Sequence, residues 1–356
     1  MAANAKVEVG ILGATGVVGQ RFLSLLDGHP WFEPVWLAAS DRSSGKSYAE
    51  AARWRLSIPL PARFAALPVF EAKPGGNCPR VIFAALDAVA AKELEPAFAS
   101  AGHIVITNSS ALRMWPDVPL LVPECNPDHL ELIRRQNSYT KTRGFAVANP
   151  NCSTVGLVMA LAPLHQNFGL ETVMVTTMQA VSGAGYPGVA SLDILANVVP
   201  YIGGEEEKME YEAQKILGKL SSAGIEPAPF AVSASCNRVP VVDGHLESVS
   251  IKLRSPARRE DVAAAMRNFR GRPQELDLPS APPRPLLVTE APDRPQPRFD
   301  AETGVGLRAG MAASVGRLRP CPVLDYKFTV LSHNTLRGAA GAALLNAELL
   351  RAEGWL

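Results

Sequence analysis

The chain reads as an α/β protein of two domains, and three observations lead there. Its 356 residues exceed what one hydrophobic core ordinarily serves. The first half alternates short apolar runs with helical stretches, which predicts a parallel sheet covered on both faces. Beyond Asn151 longer β-rich runs mix with helices, which predicts an α+β domain on a large mixed sheet, mostly antiparallel.

The elements follow from periodicity. Val7–Leu12, Val35–Ala39, Val81–Ala85, Ile104–Thr107 and Ala146–Ala148 are short apolar runs that read as buried strands, with helices expected at Val17–Leu26 and Ala88–Ala101. In the second half Ser153–Gln166, Glu205–Leu217 and Arg258–Phe269 read as helices. Glu171–Val181, His245–Leu253, Leu286–Thr289, Ala313–Arg319 and Tyr326–Leu331 read as strands, and Leu336–Leu350 as a small-residue helix. The proline-rich stretch Gly271–Phe299 is expected to be a mobile surface loop.

Composition narrows the function. Hydrophobic residues make up 47% and charged residues 19%, a globular balance. A net charge of +1 gives no field to attract nucleic acid or a membrane surface. No apolar run is long enough to cross a bilayer, and Met1–Lys6 lacks the basic start of a signal peptide, so a cytoplasmic protein is expected. The five cysteines, Cys78, Cys125, Cys152, Cys236 and Cys321, form no CxxC pair. That spacing argues against a metal site and against a disulfide framework, and leaves room for a reactive thiol.

The first strand runs into Gly10-Ile-Leu-Gly13-Ala-Thr15-Gly16-Val17-Val18-Gly19. Glycines between a strand and a helix allow a tight turn and let backbone N–H groups approach a pyrophosphate. This setting predicts dinucleotide binding and a Rossmann-like N-terminal domain. At the end of the second strand Ser40, Arg42, Ser43 and Lys46 suit a 2′-phosphate, so the expected cofactor is NADP. Asp41 is the dissenting residue, since an acid at this point is what an NAD site uses to hold ribose hydroxyls.

Asn149-Pro-Asn151-Cys152-Ser-Thr154 lies where a strand stops and a helix begins. A thiolate there gains from the helix dipole and free N–H groups, although a small buried cysteine is the ordinary alternative. His245 follows an Asp243-Gly244 turn and opens a strand, where it can serve as acid–base partner to a thiol or be a structural histidine. Arg238 is a candidate carboxylate clamp, because a guanidinium meets a carboxylate bidentately.

With these residues in view, the chain resembles the aspartate-β-semialdehyde dehydrogenase family, in the branch typical of archaea and fungi. The segments that carry the resemblance run nearly end to end. The most specific are Asn151-Cys-Ser-Thr154, Gln179-Ala-Val-Ser182-Gly183-Ala-Gly185, Asn237–His245 and His333-Asn334-Thr-Leu-Arg-Gly-Ala-Ala340. The resemblance implies Cys152 as nucleophile, His245 as acid–base and Gln179 as the residue orienting the acyl group. It implies that Arg238 holds the substrate α-carboxylate, Glu205 the amino group, and Lys208 with Arg113 the phosphate, with Asn151 also at the substrate. Gly13, Thr15, Gly16, Val17, Val18, Ser40, Arg42, Ser43, Lys46, Ser182, Gly183 and Asn334 would meet NADP. Two positions depart from the pattern: Thr107-Asn-Ser-Ser110 replaces Ser-Asn-Ala-Ser, and Leu246 stands where threonine is common.

The implied reaction is NADP-dependent reductive dephosphorylation of L-aspartyl-4-phosphate to L-aspartate 4-semialdehyde through a Cys152 thioester, a step toward lysine, threonine and methionine. It needs no metal, and its partners are the small-molecule substrate and phosphate. The implied division is residues 1–150 with 334–356 as the dinucleotide-binding domain and 151–333 as the catalytic and dimerisation domain, in a homodimer or homotetramer. Two alternatives stay open. One is a related acylating reductase, acting on malonyl-CoA or N-acetylglutamyl phosphate. The other is a non-catalytic dinucleotide-binding sensor.

Overall fold

A computed structural model describes residues 5–356. Two compact units divide the chain. The first runs to Leu121 and also takes in His129–Asn149 and Asn346–Leu356. The second is Val122–Asp128 with Pro150–Leu345. Residues 334–345 thus fall in the second unit.

The first unit is built on six strands: β1 (Val7–Leu12), β2 (Phe32–Ala39), β3 (Val69–Glu71), β4 (Val81–Ala84), β5 (Ile104–Thr107) and β6 (Phe145–Ala148). All pair parallel, in the order β3-β2-β1-β4-β5-β6. Every residue of β4, β5 and β6 is buried. Such strands read as unbroken apolar runs because both faces are covered. Helices α1 (Val17–Leu26) and α2 (Ala88–Ser100) supply part of that cover, and Phe22 of α1 stacks on Phe83 of β4 with ring centroids 4.8 Å apart. Removing such a buried ring costs about 3–5 kcal/mol. The strand order reverses between β1 and β4, so the turn leaving β1 stands at the switch point where open α/β sheets take ligands.

The second unit carries a mixed six-stranded sheet. Its strands are β7 (Leu170–Gln179), β10 (Ala231–Arg238), β11 (His245–Leu253), β12 (Leu286–Val288), β13 (Ala313–Pro320) and β14 (Tyr326–Ser332). The hairpin β8 (Lys219–Ser221) and β9 (Gly224–Glu226) forms a separate small sheet. The large sheet has the order β10-β7-β11-β14-β13-β12. Its outer pairs are parallel and its three inner pairs antiparallel. Helix α3 (Cys152–Phe168) is buried from Ser153 to Leu164. A helix apolar on all sides belongs in a core. It packs on β7, β11, β13 and β14, and against helices α4 (Glu205–Ile216) and α5 (Arg259–Asn268). Among the described residues no helix is long and apolar enough to cross a membrane.

Three readings need correction. The proline-rich stretch Gly271–Phe299 is not a plain loop. It holds a short helix at Arg272–Glu275 and the strand β12, and it buries Leu278, Ala281 and Leu286. Pro273 and Pro297 sit at helix starts and Pro285 precedes the edge strand β12, where a missing N–H costs little. Ala231–Arg238 is a strand that periodicity did not announce. The C-terminal helix opens with a π turn at Leu336–Ala340 before α6 (Gly341–Ala352).

One buried acid makes the first unit pH-sensitive. Glu95 on α2 is fully buried and accepts a 2.6 Å hydrogen bond from the Thr107 hydroxyl. Burial raises its pKa from 4.5 to about 7, against the lesser pull of the Thr107 hydrogen bond and the Arg113 charge. A carboxyl that binds its proton more tightly when folded loses stability as pH rises from its unfolded pKa through its folded one. Stability contributed here should therefore fall between pH 4.5 and about 7 and then level off. Glu95→Gln keeps an acceptor for Thr107 and cannot ionise. In thermal unfolding its Tm relative to wild type should rise between pH 5 and pH 8. An equal gap at both pH values would mean that Glu95 carries no such linkage.

Candidate active site

In the first unit the turn after β1 is shaped by its glycines. Gly13 has φ +75°, and a Cβ there would lie 2.4 Å from the Ala85 carbonyl oxygen. Gly19 packs as tightly: its Cβ would lie 2.4 Å from the Gly13 carbonyl oxygen. Both Gly13 and Ala14 donate their backbone N–H to the Ala38 carbonyl. Gly16 caps α1 with an extended backbone and no side-chain cap, and Val17 and Val18 of the first turn are half-buried. That is the arrangement a pyrophosphate uses. Gln20 holds the Thr15 carbonyl at 2.9 Å.

The turn after β2 belongs to the same unit. Ser40, Arg42 and Lys46 are exposed and Ser43 is half-buried. Lys46 Nζ donates to the Arg42 carbonyl at 2.9 Å, which folds the turn on itself. Asp41 is exposed as well. Arg113, also in the first unit, is buried and donates from Nη2 to the Asn108 carbonyl at 2.8 Å.

In the second unit Cys152 is the first residue of α3. Asn151 caps that helix, its side-chain oxygen accepting from the Ser153 N–H at 2.9 Å. The Cys152 sulfur lies 3.2 Å from His245 Nε2. Among the other thiols, burial pushes Cys78 and Cys236 up to about 12 and raises Cys125 further, while backbone N–H groups of Leu324 and Val323 lower Cys321. His245 opens β11 and is 1% exposed. Its Nδ1 accepts the Ala180 N–H at 3.0 Å. Burial first, then Arg238 and His333, push its pKa down to about 3.

Of the expected substrate residues, Asn151, Gln179, Glu205, Lys208 and Arg238 belong to this unit. Arg238 ends β10 and pairs in register with Gln179, the last residue of β7. Arg238 is buried and donates from Nη1 to the Ala180 carbonyl at 2.8 Å. Gly183 lies over both groups: a Cβ there would stand 3.0 Å from Arg238 Nη1 and 3.2 Å from His245 Nε2. Asn151 Nδ2 donates to Glu205 Oε2 at 2.7 Å, and Glu205 Oε1 accepts from Lys208 Nζ at 2.9 Å. Asn334 works as a clamp between turns. Its Nδ2 donates to the Ser182 hydroxyl at 2.7 Å, and its Oδ1 accepts the Gly244 N–H at 2.9 Å.

Three further residues were not singled out from sequence. Glu212 accepts the Asn151 backbone N–H at 2.6 Å and is almost fully buried. It stands seven residues after Glu205 on α4, and that spacing on one helical face was the available signal. Arg337 in the π turn makes a buried bidentate pair with Glu124. The next residue, Gly338, lies against Cys152. Glu247 is buried two residues beyond His245, and neither carboxyl oxygen finds a protein hydrogen-bond partner.

The arrangement is a thiol at a helix start, 3.2 Å from a buried imidazole, with a guanidinium beside that ring and a Glu–Lys pair bound to the residue that caps the helix. Comparisons with known proteins identify the family. Residues 8–133 match the family model described as semialdehyde dehydrogenase, NAD binding domain. Residues 161–337 match the one described as semialdehyde dehydrogenase, dimerisation domain. The chain is 50% identical to the aspartate-semialdehyde dehydrogenase of Methanothermobacter thermautotrophicus, over 97% of this chain and 99% of that one. It is 46% identical to that of Cryptococcus neoformans, over 99% of each. The crystal structure of the Candida albicans enzyme with NADP superposes with a TM-score of 0.91 at 43% identity, covering 99% of this chain and 100% of that one. Aspartate semialdehyde dehydrogenase II from Vibrio cholerae gives 0.77 at 28%, covering 98% and 99%. This chain belongs to the aspartate-semialdehyde dehydrogenase family.

Proposed function

We propose that the chain reduces L-aspartyl-4-phosphate to L-aspartate 4-semialdehyde with NADPH, releasing phosphate, by way of a thioester on Cys152. The observation that carries this reading is the Cys152 sulfur at the start of α3, 3.2 Å from His245 Nε2. The positive end of the helix dipole at the start of α3 favours the thiolate. That thiolate attacks the acyl carbonyl, and the C–O bond to phosphate breaks as the C–S bond forms. Gln179 orients the acyl group, Arg238 takes the α-carboxylate as a planar fork, and Glu205 takes the α-ammonium. Lys208 and Arg113 neutralise the departing phosphate. When bound, NADPH would supply the hydride that reduces the thioester. His245 donates from Nε2 to the oxygen and sulfur as charge develops on each.

The residues fit that cofactor. Gly13 and Gly19 leave room only for hydrogen where strand, turn and helix close up. Thr15, Gly16, Val17 and Val18 would hold the pyrophosphate, Ser40, Arg42, Ser43 and Lys46 the 2′-phosphate. Ser182, Gly183 and Asn334 would line the nicotinamide end. The exposed Arg42 and Lys46 offer two positive charges after β2 against the single Asp41. The first unit would then be the cofactor domain and the second the catalytic and dimerisation domain, in a cytoplasmic homodimer or a tetramer of two such dimers. Malonyl-CoA and N-acetylglutamyl phosphate are the less favoured substrates. Neither presents a free ammonium for Glu205.

Cys152→Ser should keep NADPH binding and lose at least about a thousandfold in kcat, because a hydroxyl is a far weaker nucleophile at neutral pH. Turnover near wild type would sink the thioester route. Arg42→Ala should weaken NADP far more than NAD in titrations with each cofactor. Equal losses would show that Arg42 does not read the extra phosphate.

Substrate identity is tested at Glu205 and Arg238. Arg238→Lys keeps the charge and loses the fork, so kcat/KM should drop sharply. Glu205→Gln should slow aspartate semialdehyde turnover and leave an analogue without the amine nearly unaffected. Equal slowing of both substrates would remove Glu205 from amine recognition. A wild type that then prefers malonyl-CoA would overturn the aspartyl assignment.

A further inference from the structure

In the first unit a single residue, Ala14, is bound to both ends of the turn that follows β2. Gly13 and Ala14 donate their backbone N–H groups to the Ala38 carbonyl at 2.9 and 3.0 Å, and Ala38 lies just before Ser40. The Ala14 carbonyl accepts a 2.9 Å hydrogen bond from the Tyr48 hydroxyl, and Tyr48 lies just after Lys46. The Ser40–Lys46 turn is thus tied to the glycine turn once through the main chain and once through a phenol. Ala14 and Tyr48 are both fully buried. Burial raises the phenol pKa above its usual 10, so the proton in this bond stays in place at neutral pH.

A second clasp follows along the same segment. Gln20 of α1 is 1% exposed, and its Nε2 donates to the Thr15 and Arg53 carbonyls, both at 2.9 Å. Its Oε1 accepts the Arg55 N–H at 2.7 Å. Two successive carbonyls of the glycine turn, those of Ala14 and Thr15, are therefore held from the chain that leaves the Ser40–Lys46 turn. In a trans peptide the N–H points opposite to the C=O. Turning the Ala14 carbonyl toward Tyr48 turns the Thr15 N–H the other way, and N–H groups of this turn are what a pyrophosphate meets. Tyr48 is itself fixed. Its N–H reaches the Leu67 carbonyl at 2.8 Å, and Ser47 and Glu50 close a capping box on the short helix Tyr48–Ala51. Strand β3 holds the end of the turn: Gly45 N–H donates to the Val69 carbonyl and Val69 N–H to the Lys46 carbonyl, both at 2.9 Å.

We infer that Tyr48 is a positioning residue for NADP: its hydroxyl joins the Ser40–Lys46 turn to the glycine turn, so that a 2′-phosphate bound at the first orders the second for the pyrophosphate. The inference rests on the reading of Ser40–Lys46 as the 2′-phosphate site. Tyr48 is buried and offers no surface to a ligand, so it acts only through Ala14. The link through Ala38 is main chain and present whatever the side chains. The Tyr48 hydroxyl is the link that the loss of one oxygen removes, and it leaves the buried Ala14 carbonyl without its donor.

The test is Tyr48→Phe, which keeps the ring and its packing, with binding read directly by calorimetric titration. Two ligands are compared: NADPH, and adenosine 2′-phosphate, which carries the 2′-phosphate and no pyrophosphate. The Kd for NADPH should rise about tenfold and that for adenosine 2′-phosphate by less than about twofold. In turnover the loss should appear in KM for NADPH rather than in kcat. An unchanged NADPH affinity, or an equal loss for both ligands, would overturn the inference. Wild type supplies an arm that needs no variant. Adenosine 2′-phosphate alone should slow amide hydrogen exchange at Gly13–Gly16 as well as at Ser40–Lys46. Protection confined to Ser40–Lys46 would show that the two turns are not coupled. A wild type that binds NADPH and ignores adenosine 2′-phosphate would defeat the 2′-phosphate reading and the inference with it. Arg42→Ala titrated with NADP and NAD tells that failure from one at Tyr48 alone.

Discussion

The start of helix α3 is the point on which the second unit's chemistry depends. Asn151 spends every polar group it has there. Its side-chain oxygen caps the helix, its Nδ2 reaches Glu205, and its backbone N–H reaches Glu212. Both acids lie on α4, so one residue ties two helices together and sets the Cys152 sulfur over β11. A buried hydrogen bond to a charged group contributes about 1.5–3 kcal/mol, and leaving such a donor unpaired costs as much again. The cap alone is worth about 1 kcal/mol. A smaller residue at this position would loosen the helix end before it touched the sulfur.

Much of this was legible in the sequence, for reasons that can be named. The first unit's strands are parallel and covered on both faces, so Val81–Ala84 and Ile104–Thr107 stand out as unbroken apolar runs. The glycine turn showed itself because φ +75° and the Ala85 contact at Gly13 admit no other residue. Cys152 was legible from its place between a strand and a helix. The second unit hid more. Ala231–Arg238 is an edge strand of small and polar residues with few buried positions, and only pairing with β7 makes it a strand. Gly271–Phe299 owes its order to long-range packing that no local pattern reports.

Contacts between distant residues were not legible at all. Glu124 and Arg337 are 213 positions apart, and only the fold makes them a buried pair. Breaking one side of such a pair costs several kcal/mol, because it strands the other charge in the core. The pair anchors the π turn whose Gly338 lies against Cys152. Sequence marked that segment as small-residue helix, and the extra residue in its first turn is what the packing around Arg337 adds. The resemblance named Asn334 as a cofactor residue. In the fold both ends of its amide also clamp the turns on either side of His245.

What a catalytic histidine can do is decided by the group behind it. A carboxylate at Nδ1 stabilises the imidazolium and makes Nε2 a base, which is the logic of the serine-protease triad. Here the position behind the ring is filled by the Ala180 N–H, which leaves the neutral ring its proton on Nε2. The acid that could have supplied negative charge, Glu247, lies two residues along β11 with its carboxyl buried, and burial raises its pKa well above 4.5. The positive charge near the sulfur then comes from Arg238 and the end of α3, neither of which gives up a proton at neutral pH. A site arranged this way sets fixed positive groups beside the sulfur, and the imidazole that faces it is held in place by a main-chain bond.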